Sequence, residues 1–368
     1  MSGRVGGDLK FLLGFMALAL ICLAAAGAAA WQLGYFQPVG APVTFTVQKG
    51  ENFAQLGHKL QAQGIVHSAR ALRWYVNFLS PHHKLQRGEF ALVTGMPIPE
   101  LVTALTMGKP IEYKFTVAEG ENIFQIAEGL EAKGLAAKAD FLAAVRSPEV
   151  IKAIPWNSPL ARPPSVEGYL YPDTYLLQKV FSAKEIALIM VARFKEVFRS
   201  LEPDFKESLL AKDFLFNSHQ MVILASIVEK ETGAAEERPQ IASVFVNRLK
   251  KRMRLQTDPT IIYGIYLEKG TWNGSIGRAG LDSNSDYNTY QHDGLPPGPI
   301  SNPGLNALKA VAHPAVTDYL YFVSRGDGTS VFSKDLSTHT RAVQTNQLAP
   351  GVKDGKSWRN LDPSKRAK

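Results

Sequence analysis

With one cysteine, Cys22, in 368 residues, a disulfide framework, a zinc–thiolate site and a cysteine nucleophile are all excluded. Equally absent are a His-Glu-x-x-His helix that would hold a metal and a Gly-x-Ser-x-Gly elbow that would expose a serine nucleophile. Gly351-Val-Lys-Asp-Gly355-Lys356-Ser357 imitates a phosphate-binding loop, but it is one residue short and no strand precedes it. The eight histidines are scattered, and His313 and His339 read as structural groups rather than ligands. Neither a metal nor a cofactor is expected. The basic excess is modest, net +8 with a pI near 9.3. Nucleic acid, an anionic membrane surface and an acidic polymer would suit it equally, so charge selects none of them.

Charge is also missing from Phe11 to Trp31, about the 20 residues that a helix needs to cross a bilayer. Arg4 and Lys10 precede this run, and no charged side chain follows it until Lys49. The positive flank predicts a cytoplasmic N-terminus and places everything after residue 35 outside. Ala28-Ala29-Ala30 would also suit cleavage of a signal peptide. The run is long for a signal core, however, and Trp31, Tyr35 and Phe36 form an aromatic belt, which favours an uncleaved anchor.

The chain is long enough, and at 45% hydrophobic apolar enough, for two or three domains. Pro38 to Pro42 reads as a linker leaving the membrane. An internal repeat follows: Phe45-Thr46-Val47-x-x-Gly50-Glu51-Asn52 returns as Phe115-Thr116-Val117-x-x-Gly120-Glu121-Asn122. Each copy predicts a short strand, a turn at Gly-Glu-Asn and an amphipathic helix ended by Gly64 or Gly134. This order resembles the first half of a LysM module, a glycan binder. A small α+β spacer without sugar affinity is the alternative.

Beyond residue 165 the spacing of Ile186, Ile189, Met190 and Val197 predicts a helix. Ser218 is an N-cap candidate for a second helix through Glu231, and Pro239 opens a third. Tyr319–Val323 and Ser330–Ser333 flank Gly326-Asp327-Gly328 as a hairpin.

Glu231 is seven residues from Leu224, four from Ile227 and three from Val228, so a helix places it on their apolar face, while Glu229 points away. A desolvated carboxyl keeps its proton near neutrality, as a general acid for glycosidic cleavage must. The competing reading is that Glu-Lys-Glu closes a frayed, solvated helix end. Asp258 is either a second carboxylate, which a two-carboxylate hydrolase requires, or a turn or cap residue before Pro259. Tyr287-Asn288-Thr289-Tyr290 and Gly294-Leu295-Pro296-Pro297-Gly298 carry the rings and amides found in sugar grooves, and also in ordinary structured loops.

These segments, with Val166-Glu-Gly-Tyr-Leu-Tyr-Pro-Asp-Thr174, Ala225-Ser-Ile-Val-Glu-Lys-Glu-Thr232, Ala242-Ser-Val-Phe-Val-Asn-Arg-Leu249, Arg254-Leu-Gln-Thr-Asp-Pro-Thr260 and Leu308-Lys-Ala-Val-Ala-His-Pro314, resemble the endolytic murein transglycosylase family, also called YceG-like. The resemblance implies an α+β fold. Residues 1–10 would be a cytoplasmic N-terminus and 11–33 a transmembrane helix. A LysM-like α+β subdomain would fill 43–110 and a repeat-related segment 111–164. The catalytic domain would span 165–348, with a disordered basic tail at 349–368. It further implies a lyase at the plasma (inner) membrane that cuts the MurNAc–GlcNAc bond of nascent peptidoglycan and ends glycan elongation. Peptidoglycan strands, the membrane and peptidoglycan synthases would be its partners, and nucleic acid would not.

The family's catalytic residue falls on Glu231. Gln256, Asn288 and Tyr290 are assigned to holding the sugar. Asp258 is placed with them, and Glu167 is either catalytic support or a buried structural acid. A hydrolase on the same substrate and a non-enzymatic wall tether remain the alternatives.

Overall fold

A computed structural model of the chain describes residues 5–81, 84–155, 163–232 and 234–348, with side chains from residue 11 onward. The tail at 349–368 lies outside the described residues. Helix α1 spans Val5–Gln32, and its part Phe11–Gln32 carries no charged side chain. It is a helix long and apolar enough to cross a membrane, and its most apolar stretch has no buried residue.

Contacts among the described residues form two compact units, the first reaching to residue 113 and including 176–180, the second made of those in 114–175 and from 181 onward. In the first, β1 (Pro42–Val47) is followed by α2 (Phe53–Ala62), α3 (Ala69–Leu79), β2 (Gly88–Val93) and α4 (Ile98–Met107). The two strands run antiparallel, with Phe45 opposite Phe90. Alternation along each strand turns Phe45, Val47, Phe90 and Leu92 inward onto Leu56, Leu60, Leu72 and Leu101. Helix α2 begins at Asn52, whose side chain accepts from Gln55 N–H while Gln55 returns the bond to Asn52 N–H. The expected linker is tied down, because Gly40 N–H donates to Thr94 O at 2.9 Å and Thr94 N–H to Ala41 O at 3.1 Å.

The second unit contains the end of β3 (Tyr113–Thr116), α5 (Ile123–Ala132), α6 (Lys138–Ala144), α7 (Pro148–Ile151) and the start of β4 (Thr174–Leu177). Helices α8 (Ala183–Glu207), α9 (Leu209–Phe214), α10 (Ser218–Glu231), α11 (Arg238–Lys250), α12 (Asp258–Lys269), α13 (Gly277–Leu281) and α14 (Leu305–Ala312) follow. The hairpin β5 (Tyr321–Ser324) and β6 (Ser330–Ser333) pairs antiparallel as its turn residues predicted, and α15 (Leu336–Val343) comes after it.

Two local expectations shift. The residue capping α10 is Asn217, in a reciprocal bond with Gln220, because Ser218 is already the first helical residue. The buried face of α8 is Ile186, Met190, Phe194, Phe198 and Leu201, which leaves Ile189 and Val197 on its shoulder.

The core of this unit surrounds α10, which packs on α14, α11 and α12. Val222, Leu224, Ile227 and Val228 are fully buried, worth roughly 2 kcal/mol each. Ser226 lies among them without penalty because its hydroxyl donates to Ile223 O and accepts from Ile300 N–H. That residue thereby fixes the 300–302 segment against the helix.

Candidate active site

The Glu229-Lys230-Glu231 end of α10 is not frayed. Glu229 is buried, pairs with buried Arg238 at 2.7 Å and accepts from Gly304 N–H at 2.9 Å. A carboxylate locked to a guanidinium and a backbone amide cannot activate water, so Glu229 is a structural ion pair. Glu231 is half-buried, in the last turn of the same helix. Burial pushes its carboxyl up to about 7; the Asp258 charge adds to this, and the Thr257 bond and the Arg248 charge hold it back. It therefore changes protonation state close to neutrality.

The residues facing Glu231 come from three elements. The Thr257 hydroxyl donates to Glu231 Oε1. Thr257 occupies the cap position of α12 but makes no capping bond, which leaves its hydroxyl for the acid. It is held in turn by Thr289, whose hydroxyl accepts from Thr257 N–H at 3.1 Å and meets the Thr260 hydroxyl at 2.9 Å. Thr260 closes the ring by donating to Thr257 O at 2.7 Å. From α11, buried Arg248 donates to Leu255 O at 2.8 Å and Leu320 O at 2.7 Å, so one cation fixes the 254–257 loop and stands near Glu231.

Gln256 is exposed, with φ at +49°, a left-handed conformation that costs a non-glycine residue on the order of 1 kcal/mol. Its N–H donates to Thr289 O at 3.1 Å, which holds it there. Asp258 is exposed in the first turn of α12 and accepts the Tyr290 hydroxyl at 2.7 Å. The structure thus gathers Gln256, Asp258 and Tyr290 around the loop that holds Glu231.

Two assigned residues serve other purposes. Asn288 is fully buried; its amide nitrogen donates to Leu281 O and Ser283 O, and its oxygen accepts from Tyr290 N–H. With both ends of the amide engaged, it sets the loop that presents Tyr290 instead of holding a sugar itself. Glu167 is buried and accepts from Ile123 N–H at 2.9 Å and from Asn302 at 3.0 Å. Burial pushes it up to about 8, and the structural reading of this acid is the one its contacts fit.

Thr257, Thr260, Thr289 and Arg248 were not assigned roles from sequence. Their one sequence signal was a threonine ahead of Asp258-Pro259, where a cap would ordinarily sit. Among the described residues, no group of three His, Cys, Asp or Glu side chains could hold a metal ion.

A family model described as the YceG-like family matches residues 45–345. A Bacillus subtilis (strain 168) protein named endolytic murein transglycosylase is 30% identical over 315 residues, covering 82% of this chain and 84% of that one. A protein of the same name from Streptococcus pneumoniae serotype 2 is 28% identical over 329 residues; the match covers 82% of this chain and 58% of the relative. A YceG-like protein of Listeria monocytogenes, solved at 2.6 Å, is 31% identical, with a TM-score of 0.55 over 82% of this chain and 98% of the other.

Proposed function

This chain belongs to the YceG-like family, and from that premise we propose that it is a lytic enzyme that cuts peptidoglycan strands internally with Glu231 as its acid and base. The bond cleaved is MurNAc–GlcNAc β-1,4. The protonated Glu231 carboxyl gives its proton to the leaving glycosidic oxygen as the C1–O bond breaks. The resulting carboxylate takes the proton of the C6 hydroxyl, whose oxygen closes on C1 and leaves a 1,6-anhydro-MurNAc end. Glu231 regains the proton that it gave, and no water is consumed.

The observation that carries this reading is a single acid with a proton affinity near neutrality, held by one hydroxyl and open on one side. Gln256 and Tyr290 contact the sugar, and Asp258 orients Tyr290. In the finer reading, α1 is the anchor in the plasma (inner) membrane, with its N-terminus cytoplasmic and both units outside. The first unit, LysM-like at its start, then acts as an α+β spacer, and cutting beside peptidoglycan synthases ends strand elongation.

The test is mass spectrometry of uncrosslinked glycan strands digested by the full-length protein, wild type beside Glu231→Gln. Internal fragments with 1,6-anhydro ends from wild type alone are expected, with a loss of at least about a thousandfold in the variant. Reducing ends would make the enzyme a hydrolase, and equal cleavage by both proteins would remove Glu231 from the mechanism.

A further inference from the structure

A cavity of about 300 Å³ opens in the second unit, at the low end of the range that ligand pockets span. Tyr263, Tyr266 and Trp272 give it aromatic walls, Asn122 and Gln125 give it amides, and Lys230 lines it while its ammonium donates to Gly120 O. Both amides are half engaged. Asn122 Oδ1 accepts from Phe124 and Gln125 N–H, and Gln125 Oε1 accepts from Asn122 N–H, so both oxygens are occupied in capping α5. Among the described residues, neither amide nitrogen donates a hydrogen bond within the chain. Each NH2 group carries two donors, so the cap leaves four N–H bonds for whatever enters.

Donors without acceptors, set between aromatic rings, suit a ligand rich in oxygen acceptors that also has an apolar face. Lys230 and Pro259, which line the cavity, are the chain neighbours of Glu231 and Asp258, one Cα–Cα step of about 3.8 Å away. The geometry points to a subsite for one N-acetylated hexosamine of the glycan strand, beside the cleaved bond and not at it. The sugar ring lies against Trp272 and Tyr266, and its acetamido and hydroxyl oxygens take the Asn122 and Gln125 amides. The inference rests on the proposed glycan substrate and extends it. Contact with a sugar beyond the reacting pair favours cutting inside a strand over trimming its end.

Gln125→Glu and Asn122→Asp keep the oxygen that caps α5 and remove the NH2 group, so the helix start survives while the cavity loses its donors. The matched control is Gln55→Glu, the same change in the exposed capping box of α2. In full-length Glu231→Gln protein, binding of an uncrosslinked GlcNAc–MurNAc hexasaccharide is measured by titration calorimetry, with unfolding midpoints recorded alongside. Each cavity substitution is expected to weaken binding about tenfold at an unchanged midpoint, the weight of a lost hydrogen bond, while the control leaves binding alone.

Binding within about twofold of the parent for both cavity variants overturns the subsite, as does equal weakening by the control. Absence of binding by the parent overturns it too. Cleavage of the same strands by Glu231→Gln would sink the catalytic reading separately, with the binding ratios still deciding the subsite.

Discussion

The Phe-Thr-Val-x-x-Gly-Glu-Asn sequence occurs twice, and the two copies have the same local shape in opposite surroundings. Both form a strand, a turn at a positive-φ glycine and a helix begun by an Asn–Gln capping box. In the first unit Gly50 and Asn52 are exposed. In the second, Gly120 and Asn122 are buried, and the turn is gripped from several sides. Gly120 N–H donates to Asn302 O, Asn302 donates to Glu121 O, Lys230 donates to Gly120 O, and Glu167 receives Ile123 N–H. The shared residues therefore encode a shape, while the residues packed on that shape determine its use.

The environment also reverses the titration of a matched residue. Burial raises Glu51, but the Lys59 bond and the Gln48 N–H outweigh it, so its carboxyl lies below the usual range. Burial raises Glu121, and the Ala118 N–H and the Lys230 charge do not cancel it, so that carboxyl lies above.

The widest test of the contrast is Glu167→Ala. It strands Ile123 N–H and the Asn302 amide in a buried place, at a cost of about 3 kcal/mol in chemical denaturation of the second unit. Asn52→Ala in the first copy removes only a cap and should cost about 1 kcal/mol. Comparable losses from the two would mean that the second copy is no more embedded than the first.

Gly120→Ala and Gly50→Ala are a closer pair. Both force a positive φ on alanine at about 1 kcal/mol. A Cβ at Gly120 would stand 3.3 Å from Lys230 and 3.5 Å from Glu229, whereas one at Gly50 meets nothing within 4 Å. Glycan cleavage should fall several-fold in the first variant and stay unchanged in the second.

The pH profile sharpens the comparison further. A general acid with its pKa near 7 predicts that kcat/KM falls as pH rises above that value. Thr257→Val removes a bond that favours the charged form, so the falling limb should move to higher pH. Substitutions in the first copy should leave the limb in place; movement there would tie that copy to the acid.

The smallest effect concerns Glu51→Gln and Glu121→Gln. A depressed pKa contributes stability above the unfolded value that is lost as pH falls, so Glu51→Gln should destabilise at pH 7 and do so less at pH 3. A raised pKa means stability lost as pH rises, so Glu121→Gln should slightly stabilise at pH 7 and be neutral in acid. Melting curves at the two pH values check both signs.

Much of this was legible in the residues. The capping boxes, the hairpin turn and the apolar run of α1 are local signals and required no tertiary partner. Helical spacing places Glu231 with Leu224, Ile227 and Val228, but it also turned Glu229 away from that face, and α10 is buried all round, with Glu229 deeper than Glu231. The roles of Asn288 and Thr257 were not legible, because they depend on which backbone atoms lie across a loop. An asparagine between tyrosines looks like a sugar ligand until Leu281 O and Ser283 O are found on its amide. A threonine before Asp-Pro looks like a cap until its hydroxyl is found on Glu231. Nothing in Glu-Lys-Glu marks the first acid as the partner of Arg238, nine residues later in the chain but adjacent in the fold.

The left-handed backbone of Gln256 sets two kinds of selection against each other. Glycine fits that conformation without strain, so a screen for heat resistance would converge on glycine there. On the proposed sugar contact, a screen for strand cutting would instead retain the side chain and its backbone cost, so that durability and turnover would favour different amino acids at position 256.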